Sequence, residues 1–298
     1  MPPPFPASKK WIGILYVGIR PLVTCRISWN TQEVVHVFAV IPARNEEQRI
    51  ASAVRTVRQA GIRSIVVVVN GCTDRTLDVV RTLQDDDLTV LHFADPLGVD
   101  IPRAVGAAYA YRHGARHVLF YDGDLVGHHL DELRKLITSS TRFGIDLALT
   151  DSYGTAYETP QFRDLLLRLR RELNHKLGLE PRLGLANPAH GPCVVSRNLL
   201  REIPLDDLAK PPVVLARAAQ HALKIDALAH IPQARLGSAH KGPTHSERVR
   251  ETIIGDLLEA LAITRGRPVS REYRGLPYDG YHSERRFDLL RQFAKSLV

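Results

Sequence analysis

His117-Val118-Leu119-Phe120-Tyr121-Asp122-Gly123-Asp124 reads as a short buried strand that ends at once in two carboxylates around a single glycine. Such an ending is poor packing but a good cradle for a divalent cation carrying a diphosphate. Two earlier segments leave a strand in the same way. They are Val40-Ile41-Pro42-Ala43-Arg44-Asn45-Glu46-Glu47 and Val69-Asn70-Gly71-Cys72-Thr73-Asp74. Three such exits in order point to one shared site.

Outward from these exits the chain alternates strand and helix. Residues 35–41 form an apolar run closed by Pro42, and 46–60 carry Ile50, Ala53, Val54 and Val57 at helical spacing up to Gly61. Residues 65–69 are five β-branched side chains, the pattern of a strand covered on both faces. A helix to about residue 83, a strand over 88–93, a helix over 101–112, the strand 117–121, a helix over 129–139 and a strand over 146–150 follow. The β-α-β-α-β-α-β order, with connections long enough for parallel crossovers, predicts a mostly parallel α/β sheet flanked by helices. Its ligand belongs at the carboxyl ends of the strands, where all three exits lie. Beyond residue 150 the pattern loosens into helices over 160–178, 208–223, 247–263 and 284–297, a loop over 184–192, a short apolar run at 193–195 and a strand over 225–231. The expected organisation is an extension over 1–33, a nucleotide-binding half over 34–150 and an acceptor-side half over 151–298, within a single domain.

The 298 residues are 44% hydrophobic and 24% charged, ordinary for a globular protein, with a formal charge of +8. The positive balance suits anionic ligands such as nucleotides and phosphorylated acceptors. Nucleic acid is not expected as a partner, because the chain has no basic-aromatic strip, zinc-ligand spacing or helix-turn-helix pattern. Cys25, Cys72 and Cys193 are scattered, which fits a reducing cytoplasm rather than a disulfide framework. The apolar stretch 11–19 is shorter than the roughly 20 residues needed to span a bilayer. With Lys9, Lys10 and Arg20 it fits peripheral contact with an acidic membrane surface. A homodimer is the expected assembly.

Each motif also has a plain structural reading. Asp124 can cap the helix that follows it, Asn45 can cap the helix after the first strand, and Thr73 or Asp74 can cap the next. Arg103, in a helix rich in small residues, can be a solvated arginine or can pair with a phosphate. Lys241, in His240-Lys241-Gly242-Pro243-Thr244-His245, suits a phosphate. His240 can complete a metal shell, with His128 and His129 as rivals. His190 and Gly191, in the Gly/Pro-rich loop, are the candidates for contact with an acceptor.

Taken in order, Pro42-Ala43-Arg44-Asn45-Glu46-Glu47, Asn70-Gly71-Cys72-Thr73-Asp74-Arg75-Thr76 and Asp122-Gly123-Asp124 resemble the successive motifs of GT-A-fold nucleotide-sugar glycosyltransferases. Leu236-Gly237-Ser238-Ala239-His240-Lys241 is similar to the late histidine segment of the glucosyl-3-phosphoglycerate synthase type. The resemblance covers residues 34–150 well and the rest weakly. It implies a GT-A fold and a hexose transfer from a UDP- or GDP-sugar to a small polar or phosphorylated acceptor. It implies that Asp124 and His240 hold Mg²⁺ or Mn²⁺ and that Pro42, Ala43, Arg44, Asn45, Glu46, Asn70 and Gly71 hold the nucleoside. Arg103, Asp122 and Gly123 would meet the donor, with Lys241 on its phosphates.

Two departures stand out. Asn70 takes a place that is commonly acidic, and residues 210–225 lack the acidic pair that supplies a base in inverting relatives, with only Asp206-Asp207 nearby. The second departure favours a retaining enzyme. Two rival readings remain: a glycosyltransferase-like binding protein without turnover, and a nucleotidyltransferase. The latter ranks lower because Pro-Ala-Arg-Asn-Glu stands where those enzymes place a Gly-rich loop.

Overall fold

Ile65 to Val69 form the centre of strand β2 (Ser64–Asn70), and each is 0–1% exposed. Although every residue of this run is apolar, the strand period of two still divides it. Val66 and Val68 face one core layer, and Ile65, Val67 and Val69 face the other. The computed structural model describes residues 36–154, 164–238 and 241–297. Residues 35–298 form one compact unit.

Around β2 lie β1 (Val37–Ala43), β3 (Leu88–Phe93), β4 (His117–Phe120), β5 (Leu147–Asp151), β6 (Cys193–Ser196) and β7 (Ile225–His230). The sheet order is β3-β2-β1-β4-β6-β5-β7. β1 pairs in parallel with β2 and β4, β2 with β3, and β5 with β7. β6 alone runs antiparallel, between β4 and β5, with Phe120 opposite Cys193. The expected mostly parallel sheet is therefore present. The apolar run at 193–195 is its reversed strand, a direction that no local pattern encodes.

One face of the sheet carries α1 (Ile50–Gln59), α2 (Thr76–Thr82) and α4 (Leu130–Phe143). The other carries α3 (Ile101–Arg112), α5 (Leu165–Lys176), α7 (Arg197–Glu202), α8 (Pro211–Gln220), α10 (Pro243–Thr264) and α11 (Phe287–Ser296). The remaining elements include the short helices α6 (Glu180–Leu183) and α9 (Gln233–Leu236), the hairpin β8 (Glu272–Tyr273)/β9 (Leu276–Pro277) and two 3₁₀ turns, Leu205–Ala209 and His282–Glu284.

Small residues let α3 lie directly on β1. A Cβ on Gly106 would fall 2.3 Å from Val40 Cγ1. This contact fixes the height of Arg103, one turn earlier on the same helix. Gly123 serves the β4 exit similarly: its N–H donates to Pro42 O at 3.1 Å, and a Cβ there would lie 2.8 Å from that oxygen.

Several elements differ from the sequence expectation. α1 begins at Ile50 rather than 46, because Asn45 has φ +57° and residues 46–49 form a turn. α5 begins at Leu165, capped by Asp164 Oδ1, which accepts from Leu166 N at 2.8 Å. Residues 160–163 of that expected helix lie outside the described residues. Pro211-Pro212 splits the helix expected over 208–223 into a 3₁₀ turn (Leu205–Ala209) followed by α8. No described helix is long and apolar enough to cross a membrane. The expected extension over 1–33 falls outside the described residues.

A buried ionic network ties the C-terminal segment to the start of α3. Arg285 bonds Asp256 at 2.7 Å and Asp100 at 2.9 Å. Arg271 bonds Asp256 and Glu259 at 2.7 Å each. Lys210 links Glu259 at 3.0 Å to Asp207 at 3.2 Å, and Arg217 reaches Asp207 at 3.1 Å.

Candidate active site

Because β2, β1 and β4 are parallel neighbours, their three exit loops emerge side by side at one sheet edge. They open on a cavity of about 820 Å³. The sheet side of its wall comprises residues 42–46, Asn70, residues 98–100, Pro102, Arg103 and residues 122–124. The opposite side comprises Lys241, Tyr281, Glu284 and one stripe of α10: His245, Arg248, Val249, Thr252, Ile253 and Asp256.

The first two loops brace each other. Asn45 Oδ1 accepts from Thr73 N at 2.8 Å, and Asn45 N donates to Cys72 Sγ at 3.3 Å. Glu46 N donates to Thr76 Oγ1 at 2.7 Å. Glu47 N donates to Asp74 Oδ2 at 3.1 Å, and Arg75 N donates to Glu47 Oε2 at 3.0 Å. Asn45 is thus a loop brace, not a helix cap. Asp74 does bond the start of α2, accepting from Thr76 N at 2.9 Å. Asn70 accepts from Leu97 N at 2.6 Å and donates to Gly98 O at 3.3 Å, so its amide holds the 97–98 loop against the end of β2. Gly71 lies outside the cavity lining. It turns the chain at φ +54°, and a Cβ there would sit 2.8 Å from Pro96.

Asp122 stands at the head of the site. Burial raises its carboxyl to about 6, with Asp124 and Asp100 adding to the rise and Arg103 and Lys241 opposing it. Arg103 is buried. Its Nη1 donates to Pro188 O at 3.2 Å, its Nη2 to Cys193 Sγ at 3.5 Å, and its guanidinium carbon lies 4.9 Å from the Phe120 ring centre. Glu46 is also buried, and burial raises its carboxyl despite an ion pair with Lys241. Lys241 donates in addition to Arg44 O at 3.0 Å, which ties the late loop to the first strand exit.

The structure therefore gathers Pro42, Ala43, Arg44, Asn45, Glu46, Asn70, Arg103, Asp122, Gly123, Asp124 and Lys241 around one cavity. His190 and Gly191 lie outside its lining, whereas their neighbour Ala189 belongs to it. His240 falls outside the described residues. The rival His129 is buried and occupied, with Nε2 3.0 Å from Tyr121 OH and Nδ1 3.2 Å from Arg235 O. Asp256, Glu259 and His282 also come close enough to share one cation, but Arg271, Arg285 and Lys210 already supply the charge there.

The stripe on α10 escaped sequence reasoning. Its spacing of three and four residues is helical, and the apolar Val249 and Ile253 carry no local sign of facing a cavity. In the fold they face the cavity beside His245, whose Nδ1 is 2.9 Å from Tyr281 OH, and Arg248, whose guanidinium lies 3.9 Å from the Tyr281 ring centre.

Among solved structures, the fold is similar to glucosyl-3-phosphoglycerate synthase from Mycobacterium tuberculosis in complex with phosphoglyceric acid. The TM-score is 0.57, the identity 19%, and the match covers 80% of this chain and 82% of that one. The same enzyme in complex with Mn²⁺, UDP-glucose and phosphoglyceric acid gives the same TM-score of 0.57. At this identity the likeness establishes the fold. An uncharacterized protein of Methanocaldococcus jannaschii is 25% identical over 114 residues, which is 38% of this chain. The match spans 45% of that relative's length. The profile of glycosyl transferase family 2 matches residues 38–203, more than half of the chain, and the protein belongs to that family.

Proposed function

We propose that the protein transfers a hexose from a UDP- or GDP-sugar to a small polar or phosphorylated acceptor, with a divalent metal and retention of configuration. The observation that carries this reading is the convergence of three strand exits on one cavity headed by Asp122 and Asp124. The relative from M. tuberculosis, crystallised with Mn²⁺, UDP-glucose and phosphoglyceric acid, supports the choice of donor, metal and acceptor class.

The residues fit a dication. Asp122 is driven toward its neutral form partly by a second carboxylate two residues away, and a nearby 2+ charge relieves that strain. Asp124, with His240, is the assigned ligand set. Mg²⁺ or Mn²⁺, when bound, neutralises the charge that develops on the departing diphosphate. Asp122 accepts a hydrogen bond from a donor hydroxyl once ionised. Arg103, anchored behind it on Pro188 O, adds a fixed positive field at the sheet edge. Lys241 closes the late loop over the nucleoside side by holding Glu46 and Arg44 O.

The retaining assignment rests on the cavity's other acids. Glu46 is paired with Lys241, Asp100 and Asp256 with Arg285, and Glu284 with Arg248. α8 carries no acid at all. With Asp122 and Asp124 assigned to the donor, no described carboxylate on the wall is left as a base for the acceptor hydroxyl.

A thermal-shift panel of UDP-, GDP-, ADP- and dTDP-sugars, with and without Mg²⁺ or Mn²⁺, tests the donor site. A metal-dependent shift with one nucleotide family is expected, and no shift with any donor refutes the reading. Asp124→Ala is expected to abolish transfer with the fold intact. Proton NMR of the product's anomeric centre tests retention, and an inverted centre refutes it.

A further inference from the structure

The buried arginines of the described chain are matched by acids with one exception. Arg285 pairs with two carboxylates, the largely buried Arg271 with three, and Arg103 lies 3.9 Å from Asp100. Arg170, on α5 and 1% exposed, forms no ion pair with a described carboxylate. Its Nη1 donates to Tyr153 OH at 3.1 Å, its guanidinium carbon lies 5.4 Å from the Tyr153 ring centre, and its Nε has no partner. The one acid that acts on it from a distance, Asp164, caps α5 and pairs with Arg250 at 3.3 Å. Burying a guanidinium without a counter-charge, and with one N–H unpaired, is costly.

The same neighbourhood collects other unmatched groups. Four of the seven buried, unpartnered side-chain polar atoms in the described chain belong to Ser152, Arg170, Asn187 and His190. His190 Nε2 is without a partner, and its ring centre lies 5.3 Å from that of Tyr153. Asn187 Oδ1 is used by Ala189 N at 3.1 Å, and His190 N donates to Asn187 O at 3.1 Å, yet Asn187 Nδ2 donates to nothing. Ser152 Oγ approaches from the end of β5: a Cβ on Gly191 would lie 3.6 Å from it. All four side chains can donate a hydrogen bond, and the missing element is an acceptor with negative charge. The electrostatics agree: burial and then Arg170 push the His190 imidazole down to about 3, with no acid opposing them.

We propose that Arg170 and His190, which meet at Tyr153, form a subsite for an oxyanion, a phosphate or carboxylate, with Ser152 beside Gly191 and Asn187 on the loop of His190 as further donors. The loop that carries His190 and Asn187 is also a wall of the main cavity, through Ala189, and its Pro188 O accepts from Arg103. The anion is therefore assigned to the acceptor, a step that rests on the glycosyltransferase reading. The anion site itself does not.

The test is a titration of the full-length protein with inorganic phosphate, and separately with acetate, at constant ionic strength. Thermal shift and calorimetry are read for the wild type, for Arg170→Met, which keeps the volume without the charge, and for His190→Leu as a second variant. The expected result is a wild-type response to one of the two anions that weakens at least tenfold in either variant. The UDP and Mn²⁺ response should be retained in both. Three results overturn the proposal: no wild-type response to either anion, in which case Tyr153 and buried water satisfy the cluster; an equal response in the variants, which places the anion in the donor cavity; and unchanged acceptor KM in Arg170→Met. Loss of the UDP response in all proteins would remove the transferase reading while leaving the anion result standing.

Discussion

Replacement of Asp122 by asparagine separates the cost of the site from its use. The folded chain raises this carboxyl from 3.8 to about 6, chiefly by burial and secondarily by the charge of Asp124. Because the raised value belongs to the folded state, its protonated form is favoured on folding. The stability this brings is complete below about pH 4 and is lost as the pH rises through about 6. At about 1.36 kcal/mol per pH unit, the full rise corresponds to about 3 kcal/mol above pH 7. Asp122 faces the cavity and is reached by water, so about half of that is expected in practice. The asparagine amide has the shape of the protonated acid without its titration. Asp122→Asn should therefore be more stable than the wild type by about 1–2 kcal/mol at pH 8, or roughly 3–6 °C in Tm for a chain of this size. The two proteins should converge near pH 4. Urea titrations in metal-free buffer at pH 4, 6 and 8 measure the difference. Mn²⁺ with UDP should stabilise the wild type more than the variant at pH 8, and transfer should fall sharply in the variant. Equal stability of the two at pH 8, or an advantage for the variant that does not shrink on acidification, would refute the reasoning.

Two structural substitutions test how the site is held. Gly106→Ala places a methyl 2.3 Å from Val40 Cγ1, so α3 must lift from β1. A loss of about 1–3 kcal/mol in urea unfolding is expected, with a rise in donor KM because Arg103 moves with the helix. Arg285→Ala removes the cation that Asp256 and Asp100 share, leaving Asp256 to Arg271 and Asp100 only the 3.9 Å approach of Arg103. It should cost about 3–5 kcal/mol, and adding Asp256→Asn should recover part of that loss in a double-mutant cycle.

The first half of the fold was legible because its signals are local. The β-branched run 65–69, the glycines at exits and the acids after β4 each announce themselves within a few residues. Even so, their detailed use was not readable. Asn45 looks like a helix cap in sequence, but the cap would need the helix to begin at 46, and the 72–76 loop takes its side chain instead. Asn70 sits at a position suited to a ligand, yet its amide is consumed by Leu97 and Gly98. Beyond residue 150 the information is tertiary. Val249 and Ile253 have the same periodicity whether they face a core or a cavity, and only the packing of α10 against α5 and α8 decides. Strand β6 is four residues long, and its reversal depends on where the chain returns after α5 and α6.

The distribution of charge also explains why this wall can dispense with an acid on α8. In the described structure, Pro211 and Pro212 start that helix, and its interior residues Val213, Val214, Leu215 and Ala216 are buried in the core. A carboxylate there would have to be accommodated among apolar side chains. The acids come instead from α10, and Arg271, Arg285 and Lys210 neutralise them as part of the same packing. Asp256 thus reaches the cavity wall as a structural ion rather than a base. Removing its charge should change stability without removing a proton acceptor from the reaction. At the β4 exit the Asp122 carboxyl is raised chiefly by burial, with Arg103 and Lys241 acting against the rise at longer range rather than as part of that packing.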